Sequence, residues 1–489
     1  RFQLSQNGET ITFFLREEIF CSVGNLLTAN DVVFTWDAIN TDSVASPRRA
    51  NFSAVDRWTP VGDFSVEVSL AQVDCAALLD VGSVSILPAH AYANDPENIV
   101  DSPENNGPTV VSGPFTFLEY VPESVVRLAA NPNYYLGRPN IDTWTYRVYP
   151  DQSAEFAGFL AGEIDYIDVP PENVSVLEDA IASGQSFRND RFFSDGYAYV
   201  GFNLANPENP QPGFEDLNGD GTFTRGEPPL EQDPHPVLSD VAVRKAIASA
   251  VDYTGIINQV IYGQGAPTAA NVLPSIGWAY NADLELPVTD TELAAQILAD
   301  AGWAPGDSTN DAGLPILEKE GQALTLILMT NQGATARENI VALLKEQLDE
   351  LGFDIQLEIT EFGTVVQKLL GQEFDMILLG WVGLGPEPDD SSFFSYENDE
   401  PGAGFNFVSY YNETFEANLK AGKAVPGCAE ADRMPFYKAN QAIFREDQPY
   451  VPLYIPLINS ASALRLNGFE PNTWDPDGDF NIQDWTITP

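Results

Sequence analysis

Apolar residues along this chain change their period several times, and each change marks an element. "FSVEVSL" (64–70) alternates apolar and polar positions, the period of a strand with one face buried. "SGPFTFLEYVPESVVRLAANPNYY" carries that pattern twice, on either side of "PES", and predicts two strands joined by a turn. "TANDVVFTWDAI" switches to the helical period, with Val32, Trp36 and Ile39 on one face. Thr28 and Asp31, three residues apart, give this helix a capping-box start. "DQSAEFAGFLAGEIDYID" reads as a helix and a short buried strand, and "YAYVGFNLAN" (197–206) as an apolar strand. "SDVAVRKAIASAVDYTGIINQVIYG" predicts a helix pair capped by Ser239, with Val243, Ala246 and Ile247 facing inward.

The later part alternates more regularly. "LTLILMT", "FDIQLEIT" and "FDMILLGW" are strands, and "ARENIVALLKEQLDELG" and "EFGTVVQKLLGQE" are the helices between them. This is an α/β unit on a mostly parallel sheet. A late helix, "RMPFYKANQAIFRED", precedes a late strand, "PYVPLYIPL". No fixed-period repeat or low-complexity tract interrupts the pattern. The linker candidates are 205–237 and the Gly- and Asp-rich tail after 466.

Within the first linker, "EDLNGDGTFTRGE" has the spacing of a calcium loop. Asp216, Asn218 and Asp220 alternate, Gly221 follows and Glu227 closes the loop. A hard cation takes oxygen ligands, Gly permits the sharp turn and the last Glu binds with both oxygens. The expected ligands are Asp216, Asn218, Asp220, the Thr222 carbonyl and Glu227, with Phe223 packing inward. Prolines on both sides disfavour flanking helices, so the expected role is a structural Ca2+ clip. Asp475, Asp477, Asp479 and Asn481 form a weaker echo that lacks the Gly.

Composition narrows the function. The chain has 489 residues, room for two or three domains, and 44% of them are hydrophobic. Its net charge is −49, from 72 acidic and 23 basic residues. A phosphate backbone needs a basic face, so a nucleic-acid partner is excluded. Such acidity keeps a chain soluble and monomeric in salt and points to a saline or extracellular setting. No run of 18 apolar residues spans a membrane. Three cysteines permit one internal disulfide; Cys21 and Cys75 are nearest in sequence, and three free thiols are the alternative. His90 and His235 lie in "ILPAHAY" and "QDPHPV", settings of turns and packing. No phosphate-cradling glycine loop and no zinc spacing occurs. Nothing in the sequence favours an enzyme, although carboxylates are too many for a glycosidase pair to be excluded on composition.

Taken in order, the segments resemble a known family: the large solute-binding proteins of ABC importers, of the oligopeptide and dipeptide type (family 5). The resemblance is carried by "ITFFLREEIFCSVGNLLTANDVVFTW", "ILPAHAY", "SGPFTFLEY…NPNYYLGRPNID", "GEIDYID", "YVGFNLAN" and "LSDVAVRKAIASAVDYTGIINQVIYGQGAP". It implies a two-lobed, periplasmic-binding-protein-like (Venus flytrap) α/β fold with an additional N-terminal subdomain. The implied division is 1–105 for that subdomain, 106–206 for the core of lobe 1, 207–455 for lobe 2 with the calcium loop inserted at 213–230, and 456–489 for the return to lobe 1. It also implies a protein that captures a solute between its lobes and delivers it to a membrane permease, without catalysis. The expected location is periplasmic or extracellular, with a lipid anchor in a missing head and a monomeric state.

The resemblance also directs attention to the loop after "FDMILLGW": Trp381, Val382, Gly383, Leu384, Gly385, Pro386, Glu387, Pro388 and Asp389. Peptide binders of the family place an Asp three residues past the Trp, against the ligand's amino group. Leu384 stands there, so Glu387 or Asp389 is expected to substitute. Thr330, Asn331, Gln332, Asn406, Trp278 and Tyr280 complete the expected ligand surface. Peptide binding is the first reading. A neutral solute such as an oligosaccharide, stacked on Trp381 and Trp278 and bonded by Asn331 and Gln332, is the second. A cell-surface structural protein on the same fold is the third.

Overall fold

Thr28 and Asp31 close the capping box that their spacing predicts, and the helix Ala29–Asn40 follows. Asp31 accepts the Thr28 N–H at 2.8 Å, and its other oxygen accepts the Ala89 N–H at 2.9 Å. Val32, Trp36 and Ile39 pack on Ile11, Val66 and Val68. The last three belong to a four-stranded antiparallel sheet in the order Phe2–Leu4, Thr10–Phe14, Ser65–Leu70, Val55–Gly62. Residues 65–70 alternate between half-buried and buried, as period two requires.

The computed structural model describes residues 1–488 with the exception of Gln6, Pro47 and Ser53, and excludes the side chains of Ala50 and Asn51. The chain divides into two units: Arg1–Arg191 with Lys423–Ala429 and Asn459–Pro489, and Phe192–Gly422 with Glu430–Ile458. The first unit adds an antiparallel sheet of Phe115–Val121, Val125–Ala130 and Thr143–Arg147, then the helix Gln152–Leu160 and the strand Tyr166–Asp168. That strand pairs with residues 460–462, so the chain's return is built into the first unit by a ladder.

The chain first leaves this unit at 191/192 and not at 206/207. The strand Ala198–Phe202 is hydrogen-bonded on both edges to second-unit strands, by way of residues 376–380 and 450–454. The final return falls at 458/459 in place of 455/456. Residues 423–429 were also assigned wrongly by sequence order. The Lys423 carbonyl accepts the Cys75 N–H at 2.9 Å, and its ammonium lies 3.3 Å from Asp74.

The same excursion decides the disulfide. Cys75 pairs with Cys428 across 353 residues, and Cys21 is buried and free. The Cys21–Cys75 pairing fails because nearness in sequence does not bring the two thiols together, while the fold carries Cys428 to Cys75.

In the second unit the central sheet runs from the first part of the strand Tyr450–Ala463, through residue 458, to Ala198–Phe202, Met376–Gly380, Thr325–Asn331 and Asp354–Thr360. Only the last three strands are mutually parallel, so the expected mostly parallel sheet applies to one side of it. The helix Thr335–Glu350 makes the crossover between two of them. Val200, Leu328, Met376 and Leu378 face one core, and Tyr199, Met329, Ile377 and Leu379 face the other. Burial on both faces explains why these strands read as continuous apolar runs. Helix Val241–Ala250 is capped by Asp240, which accepts the Ala242 N–H; Ser239 instead donates to the His235 carbonyl. Its inward residues Val243, Ala246 and Ile247 are fully buried.

Replacing Cys75 and Cys428 together by Ala should lower unfolding free energy by about 2–4 kcal/mol, because the cross-link restricts a long loop in the unfolded chain. Non-reducing peptide mapping should recover a 75–428 cross-linked fragment and an alkylatable Cys21. A linked 21–75 fragment would contradict the pairing.

Candidate ligand-binding site

The strand Met376–Gly380 ends at Trp381, whose N–H donates to the Tyr197 carbonyl at 3.0 Å. The backbones come so close here that a Cβ on Gly196 would lie 1.8 Å from the Trp381 carbonyl oxygen, so only Gly serves. The Trp381 ring is half-buried. It stacks on Tyr199 and Phe407 and meets Phe393 at 4.4 Å between centroids. After Trp381 the loop opens. Val382 is 76% exposed, and Gly383 and Gly385 adopt φ of +70° and +71°. Asp195 holds this loop, its side chain accepting the Gly383 N–H at 3.0 Å and its carbonyl the Leu384 N–H at 3.3 Å. Leu384 is half-buried against the aromatic cluster.

The two carboxylates expected to replace an anchor at 384 have partners inside the unit. Glu387 binds Arg433 through both oxygens, and this pair is nearly enclosed, with 5% and 16% of the two side chains exposed. Asp389 accepts the N–H and hydroxyl of Ser391, at 3.3 and 2.6 Å. Arg433 also stands 5.3 Å from the ring centres of Trp278 and Tyr437. Trp278 thus joins the Glu387 cluster, in edge contact with Tyr437. Tyr280 is two residues on and half-buried.

Asp390 belongs to the same neighbourhood. Asn271 donates to it, while the Asn271 carbonyl oxygen is buried without a partner. Burial, and then the charges of Asp389 and Glu387, push the Asp390 carboxyl up to about 8, against the Asn271 hydrogen bond. Asn271, Asp390, Arg433 and Tyr437 were missed by sequence reasoning, because no local pattern announces a tertiary ion pair.

On the neighbouring parallel strand, Thr330 is fully buried and donates to the Leu378 carbonyl. Asn331 and Gln332 emerge at the strand end, half-buried and exposed. Asn331 accepts from Arg337 at 2.6 Å. Asn406 requires a correction. It is fully buried, its amide donates to the carbonyls of Ser395 and Tyr410, and its oxygen accepts the Tyr410 N–H. It holds a turn and has no group left for a ligand.

In the loop 216–227, Asp216 accepts the N–H groups of Gly219, Asp220 and Gly221, and Asn218 accepts that of Asp220. Asp220 accepts the N–H and hydroxyl of Thr222. Glu227 is 4% exposed and accepts the N–H groups of Leu217 and Thr224. Phe223 packs edge-on to Phe214 and Tyr396. Among the described residues no helix flanks this loop, and no three His, Cys, Asp or Glu side chains gather to hold a metal ion. In the weaker echo Asp475 accepts the N–H groups of Asp479 and Phe480, and Asn481 accepts the indole N–H of Trp485.

His235 is a structural residue. Its Nδ1 accepts the N–H groups of Val237 and Leu238, and its Nε2 meets Asp375 at 3.1 Å.

In an open α/β sheet ligands bind at the carboxyl ends of the strands, where this unit has an aromatic platform and an open loop. Residues 1–402 match the family described as bacterial extracellular solute-binding proteins, family 5 Middle, and the chain belongs to that family. It is 29% identical over 477 residues to the oligopeptide-binding protein AppA of Bacillus subtilis, covering 95% of this chain and 78% of that one. It is 23% identical over 491 residues to the probable di/tripeptide-binding protein 5 of Pseudomonas aeruginosa, covering 96% and 84%. The solved structure of Bacillus subtilis AppA in complex with a nonapeptide aligns with a TM-score of 0.85 at 26% identity, covering 100% of this chain and 89% of that one. The periplasmic binding protein DppA of Helicobacter pylori, in complex with the peptide STSA, shares the fold with a TM-score of 0.82 at 18% identity, covering 100% and 88%.

The raised Asp390 gives a pH test. The folded state keeps a proton that the unfolded chain releases above about pH 4. Stability is therefore fullest below that value and falls as pH rises through about 8. Asp399, pushed up to about 7 by burial against hydrogen bonds from Gln372 and Ser409, adds to the same slope. The unfolding free energy from urea titrations should fall across this window, by at most about 1.4 kcal/mol per pH unit for each group. Asp390→Asn should make the decline shallower; an unaltered slope would refute the assignment.

Proposed function

We propose that this protein captures peptides outside the cytoplasm and hands them to an ABC importer permease. One observation carries the reading: the likeness to AppA over 95% of the chain, together with a fold match to AppA holding a nonapeptide. Membership of an extracellular solute-binding family, and the absence of any described helix long and apolar enough to cross a membrane, accord with this location. Attachment by an N-terminal lipid and a monomeric state are parts of the same proposal. The role is binding and release, without a chemical step.

Leu384 favours a second reading, in which the solute has no ammonium to pair at that position. An unpaired buried ammonium costs several kcal/mol. Leu384 packs on the aromatic cluster, and Glu387 is bound to Arg433. Mass spectrometry of ligand retained through non-denaturing purification distinguishes the readings. Peptide masses support the first and neutral saccharide masses the second. Trp381→Ala should weaken binding under either, since it removes the stacking platform. Asp389→Asn should weaken peptide binding at least about tenfold if this carboxylate meets the amine, and should be mild for a neutral solute.

We further propose a structural calcium in the loop 216–227. It is supported by the spacing of Asp216, Asn218, Asp220, Gly221 and Glu227 and by the inward packing of Phe223. A chelator should lower the melting temperature, because an ion bound only by the folded state stabilises it by mass action. Asp220→Ala should abolish that response. A melting curve indifferent to chelator would remove calcium from the account.

A further inference from the structure

The loop 216–227 is built onto the stretch of chain that walls the aromatic platform. Its neck is closed by the pairing of Phe214 with Pro229 and by the Leu230 N–H, which donates to the Gly213 carbonyl at 2.9 Å. The Gly213 N–H donates to the Asp399 carbonyl at 2.7 Å. A Cβ on Gly213 would lie 2.5 Å from an Asp399 carboxylate oxygen, so the two segments meet with no room for a side chain. Further into the loop, two residues reach Tyr396, which is 8% exposed. Phe223 meets its ring edge-on at 6.1 Å between centroids, and the Glu227 carbonyl accepts its hydroxyl at 3.1 Å. Both contacts come from the shell expected for the cation. Glu227 is the last ligand of that shell, and Phe223 directly follows the Thr222 carbonyl.

Tyr396 stands in the stretch 391–410, which supplies most of the platform. Four rings meet Trp381 among the described residues, and Phe393, Phe405 and Phe407 all come from this stretch. The stretch is laced across itself around Tyr396. The Asn398 amide donates to the Ser391 carbonyl at 2.6 Å, and the Asn398 carbonyl accepts the Asn406 N–H at 3.0 Å. The Asn406 amide donates to the Ser395 carbonyl at 3.1 Å. Close packing transmits strain, so a displacement of Tyr396 is passed to Phe393 on one side and to Phe405 and Phe407 on the other.

Charge gives the loop two states to pass on. Asp216, Asp220 and Glu227 share one short segment, and their mutual repulsion opposes its compact form. A bound cation offsets that repulsion and favours the form in which Phe223 and Glu227 hold Tyr396.

We propose that residues 213–230 brace the ligand platform, that Tyr396 is the positioning residue between the two, and that a cation in the loop raises affinity for the captured solute. This rests on the solute-binding reading and, for the cation, on the calcium reading. The coupling is reciprocal, so the solute tightens cation binding by the same factor.

Calorimetry with a nonapeptide of mixed sequence tests it, in Ca2+ and in excess chelator. Tyr396→Phe loses only a hydroxyl, and circular dichroism checks that each variant is folded. In Ca2+, Tyr396→Phe and Phe223→Ala should weaken binding at least about fivefold, the lower end of coupling between sites. Phe223→Leu should retain part of the affinity. In a Phe393→Ala background the losses should shrink, because they act through that ring, whereas a merely structural role leaves them additive. Chelator should weaken binding by the wild type to a similar degree and leave Phe223→Ala unaffected. Unchanged affinity in folded Tyr396→Phe and Phe223→Ala overturns the brace, as do losses that add in full to that of Phe393→Ala. Chelator that lowers the melting temperature without lowering affinity overturns the part given to the cation. Chelator that changes neither defeats the calcium reading alone, and the variants still decide the brace. If no peptide binds, the peptide reading fails and hydrogen exchange decides. Faster exchange at 391–399 in Tyr396→Phe and Phe223→Ala supports the brace, and unchanged exchange there overturns it.

Discussion

The loop and aromatic cluster at Trp381 depend on burying both faces of one short strand, Met376–Gly380. Met376 and Leu378 enter one core, and Ile377 and Leu379 the other. A slip of one residue would exchange the two sets, so the register is fixed by packing on both sides. The strand's last residue and the Trp381 backbone are therefore positioned by the core. Gly196 completes the constraint, since any larger residue would collide with the Trp381 carbonyl. Past Trp381 the chain turns outward: Val382 is exposed, and Gly383 and Gly385 follow it with positive φ. A firmly held aromatic platform is thus followed by an open loop that Asp195 ties down at Gly383 and Leu384.

Much of this architecture was legible in the sequence because periodicity is a local signal. The capping box at Thr28 and Asp31, the alternation of residues 65–70 and the apolar strands of the second unit all follow from neighbours a few residues apart. The misreadings share the opposite character. Cys428 reaches Cys75 only because seven residues of the chain, 423–429, join the other unit. The crossing at 191/192 is set by ladders to strands far along the chain. Asn406 lies between Phe405 and Phe407, and its amide serves a buried turn whose partners are set by the fold.

The site divides in the same way. Trp381 and its loop could be located from a resemblance, and the strand ends at Asn331 and Gly380 follow from the α/β alternation. The ion pair of Glu387 with Arg433 and the Asn271 contact to Asp390 could not. Each depends on side chains that meet across 46 and 119 residues of chain. Two carboxylates that looked available in sequence prove to have partners.

These details bear on how so acidic a chain can present a surface that is not uniformly acidic. A net charge of −49 describes the whole molecule, whereas a ligand meets only the groups near it. Glu387 is offset by Arg433. Asp390 is held largely protonated around neutral pH. The Asp195 side chain receives a loop N–H, and position 384 is apolar. Charge around the loop after Trp381 is thus set by local pairing and burial and not by the net charge of the chain.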